Sequence, residues 1–450
     1  MTTTVLDAAA HAGAVADSAT AAIPATCRVG LLGLGNVGAA FARHVREAAA
    51  PLSARGFAPV VATALVRSTA RPRPASAWVS RLTSDVDAFF AEPVDVVVEA
   101  IGGVEPAFAF VRRALDRGIP VVTANKSLIA AHGDELSQLA RRRATALRYE
   151  ASCIAGVPFL GGFERRPLAA RAAGVTAILN GTSNSILTAM ASGARFDAAL
   201  AEAQRLGFAE PDPTMDVSGA DAAEKLAILV RVFGRLLVAP TAFPLNGIDS
   251  VEPDDITSAA AFDGAIRPVA RASWHGRAVH AFVGPAFVAG AHPLARVSGV
   301  TNGIVIEGAA RHGGPLCFIG PGAGPDVTAD TLLDDVAELV AETHVQIPQP
   351  EPSQTAVSIA RPHSAWLVRL SGPVPASDVA DLLGSYGIWS TRVARRGART
   401  YALTCPASYA RVQSALEALQ AATGAAATAF PAVGVDGDDA PRPDSGQTRC

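Results

Sequence analysis

A proline-bearing loop with three acidic residues precedes a segment with helical spacing that carries an acid and a lysine. Glu210, Asp212 and Asp216 belong to the loop. Asp221 and Lys225 are four residues apart, so they share one face of a helix. A carboxylate beside a lysine can hold its ammonium group for proton transfer. Such a pair is more often a surface ion pair, but the apolar residues after it and the acids before it favour a proton-transfer site.

A glycine motif near the amino terminus has the spacing of a dinucleotide-binding loop. The motif Gly33-Leu34-Gly35-Asn36-Val37-Gly38 follows an apolar strand and opens a helix, which is the context that makes GxGxxG specific. Gly33 allows the tight turn, Gly35 admits the pyrophosphate, and Gly38 lets the helix pack on the strand. A glycine-rich turn from strand to helix that binds no ligand is the less favoured alternative.

The end of the second predicted strand selects between the two nicotinamide cofactors. An acid there would bind the ribose 2′-hydroxyl, whereas an arginine would accept the 2′-phosphate. This sequence has Arg67, followed by Arg71 and Arg73, and no acid in that stretch. The pattern favours NADP. NAD remains open, because these arginines could also be the solvated face of a loop.

The elements that must position these residues alternate between strand and helix in the first third of the chain. This alternation predicts an α/β fold with a parallel sheet, here a Rossmann domain over 28–150. A less regular α+β unit follows over 151–343, and a proline-rich linker over 344–364. Residues 365–433 show the order βαββαβ. The arm 1–27 and the tail 434–450 are predicted to be disordered.

Composition excludes several classes of protein. The chain has 450 residues, of which 18% are charged, with a net charge of −3, so neither nucleic acid nor an anionic membrane is an expected partner. No apolar run reaches the roughly 18 residues of a membrane span. The arm does not have the pattern of a secretory signal. The isolated cysteines favour reduced thiols in a cytoplasm, and they are Cys27, Cys153, Cys317, Cys405 and Cys450.

Several segments, taken together and in order, resemble the homoserine dehydrogenase family between about residues 28 and 343. Each segment alone is weak, but their order is specific. They are the glycine motif, Glu99–Gly103, Val122–Lys126, Leu179–Asn184, Glu210–Lys225, His292–Ala295 with Val300–Asn302, and Gly320–Gly324.

This resemblance implies an activity and an architecture. The family interconverts L-homoserine and L-aspartate 4-semialdehyde with NAD(P), in the biosynthesis of threonine, methionine and isoleucine. Its fold joins a Rossmann domain to a substrate and dimerisation domain with a mixed sheet, often followed by a regulatory ACT domain. The resemblance therefore implies a homodimer or homotetramer.

The resemblance also implies roles for individual residues. Lys225 is the proton donor and acceptor at the substrate oxygen, and Asp221 is its supporting acid. Lys126 lies between nicotinamide and substrate. Glu210 holds the substrate amino group, and Asp216 and Asp221 line the same pocket. The implied cofactor contacts are Gly33, Gly35, Asn36, Val37, Gly38, Arg67, Gly102, Lys126 and Gly322.

A monovalent cation, usually sodium, is a further implication of the resemblance. Its structural site would correspond to Glu150, Cys153, Ala155 and Val157, mainly through backbone carbonyls. Members usually have Ala-Ala-Val where this chain has Ala151-Ser152-Cys153. Backbone ligands tolerate this change.

The carboxy-terminal unit matches ACT domains in element order only. Gly372 corresponds to the glycine that lets an amino-acid ligand approach, but the adjacent prolines alter that turn. Threonine sensing and simple dimerisation are equal alternatives for the unit.

Two other functions compete with homoserine dehydrogenase. One is a related oxidoreductase that acts on another small amino aldehyde or alcohol in a specialised pathway. The other is a catalytically inactive sensor that binds the cofactor. The presence of Lys126, Glu210, Asp221 and Lys225 together disfavours the sensor, since an inactive protein has no physical need for them.

Overall fold

The structure is a computed structural model of the chain. It describes residues 26–54, 56–164, 172–308, 314–341, 357–372 and 374–435. The predicted arm up to residue 25, the tail from residue 436 and most of the predicted linker lie outside these ranges.

The first domain is built around a parallel sheet of six described strands. The strands are β1 (Thr26–Leu32), β2 (Ala58–Leu65), β3 (Leu82–Thr83), β4 (Val96–Glu99), β5 (Val121–Thr123) and β6 (Leu147–Arg148). Their order in the sheet is β3-β2-β1-β4-β5-β6, the doubly wound order whose switch point lies between β1 and β4. Residues of β1 and β4 are almost all buried, as expected when helices cover both faces.

Helices connect these strands. They are α1 (Asn36–Glu47), α2 (Ala49–Ser53), α3 (Val86–Ala91), α4 (Ala107–Asp116) and α5 (Lys126–Arg142). The predicted parallel α/β fold is confirmed. The predicted disordered arm is wrong at its end, because β1 begins at Thr26 and Cys27 is fully buried against α1 and β2.

The second region contains a mixed sheet with helices on it. Its strands are β7 (Gly174–Ile178), β8 (Gly264–His275), β9 (Ala278–Ala289), β10 (Thr301–Glu307) and β11 (Leu316–Pro321). Its helices are α6 (Leu160–Glu164), α7 (Gly181–Ala191), α8 (Phe196–Arg205), α9 (Thr214–Val217), α10 (Ala220–Leu229), α11 (Pro253–Ala261) and α12 (Pro325–Ala341). The strand order is β11-β10-β7-β8-β9, with antiparallel neighbours throughout. Both α7 and α10 carry residues of the candidate site.

Helix α12 returns the chain to the first domain. Its buried residues Leu332 and Val336 belong to the same apolar cluster as Phe41 and Val45 of α1. His44 of α1 also forms a polar contact with the first turns of α12. From the sequence, this helix is assigned to the second domain. In the structure the helix packs on the first domain instead.

The carboxy-terminal unit has the element order βαββαβ, as the sequence indicates. It consists of β13 (Trp366–Ser371), α13 (Ala376–Ser385), β14 (Ser390–Arg396), β15 (Arg399–Thr404), α14 (Tyr409–Thr423) and β16 (Ala426–Val433). The unit is preceded by β12 (Ser358–Ala360), which pairs with β9. The predicted linker therefore contains a strand, because its alternating residues can add to an open part of the sheet.

The carboxy-terminal sheet continues the sheet of the second region. Strand β16 pairs in parallel with β9 through Ala432 and Val433. Beside this junction Arg369 donates to the buried Asp255 carboxylate at 2.6 Å, and the Tyr401 hydroxyl donates to the same group at 2.9 Å. Asp255 is fully buried in the first turn of α11. This ionic cluster fixes the unit to α11.

Three of the described cysteines are free thiols, as the sequence predicts, namely Cys27, Cys153 and Cys317. No helix in the described ranges is long and apolar enough to cross a membrane.

Candidate active site

The loop between β1 and α1 has the geometry of a pyrophosphate cradle. A Cβ atom on Gly38 would lie 2.1 Å from the carbonyl oxygen of Gly33, and one on Gly33 would lie 2.8 Å from that of Ala100. Gly33 also has a φ of 96°, a conformation that favours glycine. At Gly35 a Cβ would meet nothing within 4 Å. Two of the glycines are thus required by the fold, whereas Gly35 faces the space where a phosphate would approach.

Arg67 lies two residues after the end of β2 and is exposed. The neighbouring Arg73 has a different task, since its guanidinium donates to the carbonyl oxygens of Ser68 and Arg71 at 2.7 and 2.9 Å. Arg73 therefore braces the loop, while Arg67 lies at the strand end where the sequence predicts a contact with the cofactor ribose.

A buried carboxylate organises the other side of the cofactor cleft. Glu99 ends β4 and is completely buried. It accepts hydrogen bonds from the backbone N–H of Ile101 and Gly102 and from the Thr123 hydroxyl. Burial raises the pKa of Glu99 against these hydrogen bonds, which lower it. Glu99 fixes the turn that holds Gly102, and sequence reasoning did not select it. The feature of the sequence that could have identified Glu99 is an acidic residue at the end of an apolar strand.

Lys126 is the first residue of α5 and lies three residues after the end of β5. Asn125 caps this helix, because its side-chain oxygen accepts from the Leu128 N–H at 3.0 Å. A cation at a helix N-terminus is unfavourable with respect to the helix dipole. The Asp221 carboxylate compensates at 3.2 Å from Lys126 Nζ. Burial lowers the pKa of Lys126, but Asp221 and nearby acids outweigh it, so the pKa is raised.

Asp221 lies between the two lysines of the site. Its Oδ1 faces Lys126, and its Oδ2 accepts from Lys225 Nζ at 2.9 Å. Lys225 also donates to the carbonyl oxygen of Leu179 at 2.8 Å. Asp221 and Lys225 are each 7% exposed, so this is not the surface ion pair that most helical Asp–Lys pairs form. Helix α10 packs against α5, which brings the two lysines together.

The protonation of Asp221 follows from these neighbours. Burial by itself would raise its pKa. The ammonium groups of Lys225 and Lys126 and a hydrogen bond from Asn180 together lower the pKa to about 2. The site therefore holds a permanent carboxylate beside a lysine that can give or take a proton.

Asp216 joins the same cluster from α9. Its Oδ1 accepts from the Asn180 side-chain amide at 2.6 Å. Burial raises the pKa of Asp216, with a further contribution from the Asp221 charge. Asn180 was not selected from the sequence as a site residue, although it lies two residues after the buried strand β7, within a segment that supported the family resemblance.

Glu210 is the one predicted substrate residue that the structure leaves apart. It is exposed in the loop before α9, and within the described residues only its backbone carbonyl has a hydrogen bond, from Gln204. The loop itself is tied to α7, because the Thr182 hydroxyl donates to the Phe208 carbonyl at 2.7 Å. The role of Glu210 stays a prediction.

The turn suggested for a cation lies between the two domains. The Glu150 carboxylate accepts from the backbone N–H of Phe159, Leu160 and Gly161 at 2.7–2.9 Å. This carboxylate is therefore committed to α6. The Ala155 carbonyl already accepts from the Thr331 hydroxyl. No cluster of three or more ligating side chains is found in the described part of the chain. Any cation here would depend on backbone oxygens.

The other two positions of this turn are buried, as a structural site requires. Burial raises the pKa of the Cys153 thiol to about 12, so its sulfur stays protonated. Val157 is 5% exposed. Gly322 closes the turn from β11, because its carbonyl oxygen accepts from the Ala155 N–H at 3.2 Å. A Cβ on Gly322 would collide with Asn302 at 2.1 Å.

The Rossmann strand order and the cluster of Lys126, Asp221 and Lys225 define the chain as an NAD(P)-binding oxidoreductase. Family models agree with this class. The model described as the NAD binding domain of homoserine dehydrogenase matches residues 33–150, and the homoserine dehydrogenase model matches 158–337.

Individual relatives extend the comparison. A homoserine dehydrogenase of Mycobacterium tuberculosis is 40% identical over 321 residues, which cover 68% of this chain and 71% of that protein. One of Bacillus subtilis is 35% identical over 316 residues, with 70% and 72% covered. The crystal structure of a homoserine dehydrogenase from Thiobacillus denitrificans has a TM-score of 0.81 and 30% identity, and the match covers 91% of this chain and 98% of that one. The chain belongs to the homoserine dehydrogenase family.

Proposed function

We propose that the chain interconverts L-homoserine and L-aspartate 4-semialdehyde with a nicotinamide cofactor. The observation that carries this proposal is the buried carboxylate of Asp221 between Lys126 and Lys225, at 3.2 and 2.9 Å. Family membership supplies the substrate class, and the cluster supplies the groups that the reaction needs. The relatives offer no support for a different substrate or for an inactive sensor.

The chemistry follows from where charge develops. When bound, a nicotinamide would supply or accept the hydride at the substrate carbon. When the aldehyde is reduced, negative charge accumulates on its oxygen, and the Lys225 ammonium stabilises that charge and donates a proton from Nζ. Asp221 remains ionised, so it holds Lys225 in both directions of the reaction. In the oxidation the proton moves in the opposite direction, from the substrate hydroxyl to Lys225 Nζ.

The orientation of the substrate depends on acidic side chains that bind its ammonium group. The ammonium group of the substrate requires a carboxylate, and Glu210 and Asp216 are assigned to it. Asp216 is already next to Asp221, whereas Glu210 is exposed in a loop and would have to turn towards the substrate. Lys126, whose side chain is 35% exposed, is assigned the position between nicotinamide and substrate.

NADP is the proposed cofactor, with Arg67 as the partner of the 2′-phosphate. A hyperthermophilic archaeal homoserine dehydrogenase solved in complex with NADPH supports it, with a TM-score of 0.60, 26% identity, and coverage of 72% of this chain and all of that one. Gly33, Gly35, Asn36, Val37, Gly38, Gly102 and Gly322 would line the rest of the cofactor site.

A structural monovalent cation is proposed for the turn of Glu150, Cys153, Ala155 and Val157, held by backbone carbonyls.

The carboxy-terminal unit is proposed to be an ACT-like domain that senses an amino acid or mediates assembly into a dimer or tetramer. The enzyme is proposed to act in the cytoplasm, in the biosynthesis of threonine, methionine and isoleucine.

The direct test is an assay of the purified protein with L-homoserine and either NADP or NAD. We expect reduced cofactor to form, and faster with NADP. Arg67→Asp should move the NADP/NAD ratio of kcat/KM towards NAD by at least about tenfold, because a charged hydrogen bond is lost. Arg395→Asp, an exposed arginine of β14, is the matched control. No turnover with homoserine, alongside turnover of another amino alcohol, would overturn the substrate.

A further inference from the structure

Asn180 directly contacts both carboxylates of the site. It lies between β7 and α7 and is 6% exposed. Its Nδ2 donates to Asp216 Oδ1 at 2.6 Å and to Asp221 Oδ2 at 2.9 Å. Both amide hydrogens are therefore committed to acids that lie on two different helices.

The orientation of this amide is fixed by the helix that it caps. The Asn180 Oδ1 accepts from the Ser183 backbone N–H at 2.7 Å, in the first turn of α7. If the amide were reversed, its oxygen would face two carboxylates and its nitrogen would face a backbone N–H. Only the observed orientation satisfies every group.

The contact has an electrostatic consequence. The charge of Asp221 raises the pKa of Asp216, and hydrogen bonds from Asn180 lower the pKa of both acids. Among the described residues, Lys225 on α10 and Lys126 on α5 also face this cluster, and the charge of Glu224 on α10 acts on Lys126. A neutral donor between two like charges reduces their repulsion without competing for the protons of the lysines.

The same chain segment also holds Lys225. The carbonyl oxygen of Leu179, the residue before Asn180, accepts from Lys225 Nζ. The end of β7 therefore sets the position of the ammonium group by its backbone and of the acids by one side chain.

We infer that Asn180 is a positioning residue that holds Asp216 and Asp221 as anions in fixed places beside Lys225. This inference rests on the proposed function. Asn180 does not need to touch substrate, because its effect reaches the reaction through the two carboxylates.

Three variants separate this role from simple helix capping. Asn180→Asp and Asn180→Ser both keep a side-chain oxygen for the Ser183 N–H, and asparagine, aspartate and serine are similar caps. Asn180→Asp replaces the donor by a third negative charge, whereas Asn180→Ser removes the paired donors without adding charge. Asn180→Ala removes the cap as well.

The measurement is kcat and kcat/KM for homoserine against pH, with cofactor affinity and thermal unfolding recorded for each variant. In Asn180→Asp the added charge raises the pKa of the acids, so the acidic limb of the profile should move about one pH unit upward. We expect kcat to fall by about tenfold or more. Asn180→Ser should lose less kcat and shift the limb less, with cofactor affinity unchanged in both.

Two results would overturn the inference. One is an Asn180→Asp profile that superimposes on the wild type. The other is a loss of activity in Asn180→Ala alone that follows its thermal midpoint, which would identify a helix cap only. An inactive wild type would instead refute the proposed function. If Asn180→Asp does not fold, Asn180→Ser still decides, because wild-type activity and pH dependence in that variant would refute the role.

Discussion

Replacing Asp221 by asparagine removes the charge between the two lysines while preserving the shape of the side chain. The pKa of Asp221 falls from the ordinary 3.8 to about 2 in the folded chain. Since one pKa unit corresponds to about 1.4 kcal/mol, ionised Asp221 contributes about 2 kcal/mol to stability at neutral pH. Asp221→Asn should lose about that amount, and it leaves two ammonium groups without their shared counter-ion.

The pH dependence of this loss has a definite sign. The folded pKa lies below the unfolded one, so the stabilisation is complete above about pH 4 and disappears as the pH falls towards 2. The difference in stability between wild type and Asp221→Asn should therefore be constant down to about pH 4 and shrink below it. Denaturant unfolding at several pH values measures it.

Activity should respond more strongly than stability. Without the carboxylate, Lys225 loses the partner that orients its ammonium group, so kcat should fall by about a hundredfold or more. Asp197→Asn, an exposed acid in the first turn of α8, is the matched control and should change neither quantity. An Asp221→Asn enzyme with wild-type kcat, or with wild-type stability at neutral pH, would refute the reasoning.

The glycines and the interdomain ion cluster give further tests. Gly38→Ala should lower thermal stability, because its Cβ would lie 2.1 Å from a carbonyl oxygen, whereas Gly35→Ala should keep the stability and weaken NADPH binding. Equal effects on cofactor affinity and melting temperature in both variants would contradict this. Arg369→Ala should destabilise the chain by about 3 kcal/mol, because it leaves the Asp255 carboxylate buried without its cation. Urea unfolding measures the loss, and Arg395→Ala, which is exposed, should match the wild type.

Local patterns in the sequence were sufficient for the Rossmann domain. The glycine motif and the alternation of apolar runs with helical spacing depend on interactions between near neighbours, so they can be seen in a linear chain. The βαββαβ order of the carboxy-terminal unit was visible for the same reason. The helical spacing of Asp221 and Lys225 correctly predicted that they share a face.

Other features depend on contacts between distant residues, and the sequence did not show them. Helix α12 follows the second sheet but packs on α1. The strand β12 formed inside a predicted linker because β9 offered it a free backbone edge. The junction of β16 with β9 joins residues almost 150 positions apart.

For the candidate site, the sequence alone determined which residue types are available: two lysines, their acids and a loop for a dinucleotide. Only the tertiary structure decided that Asp221 serves both Lys126 and Lys225, and that Asn180 and Glu99 hold the groups around them. The physical reason is that hydrogen bonds and charges act across space, so a residue's chemistry is set by neighbours that the fold brings together. The same principle left Glu210 exposed in a loop, and its role stays a prediction.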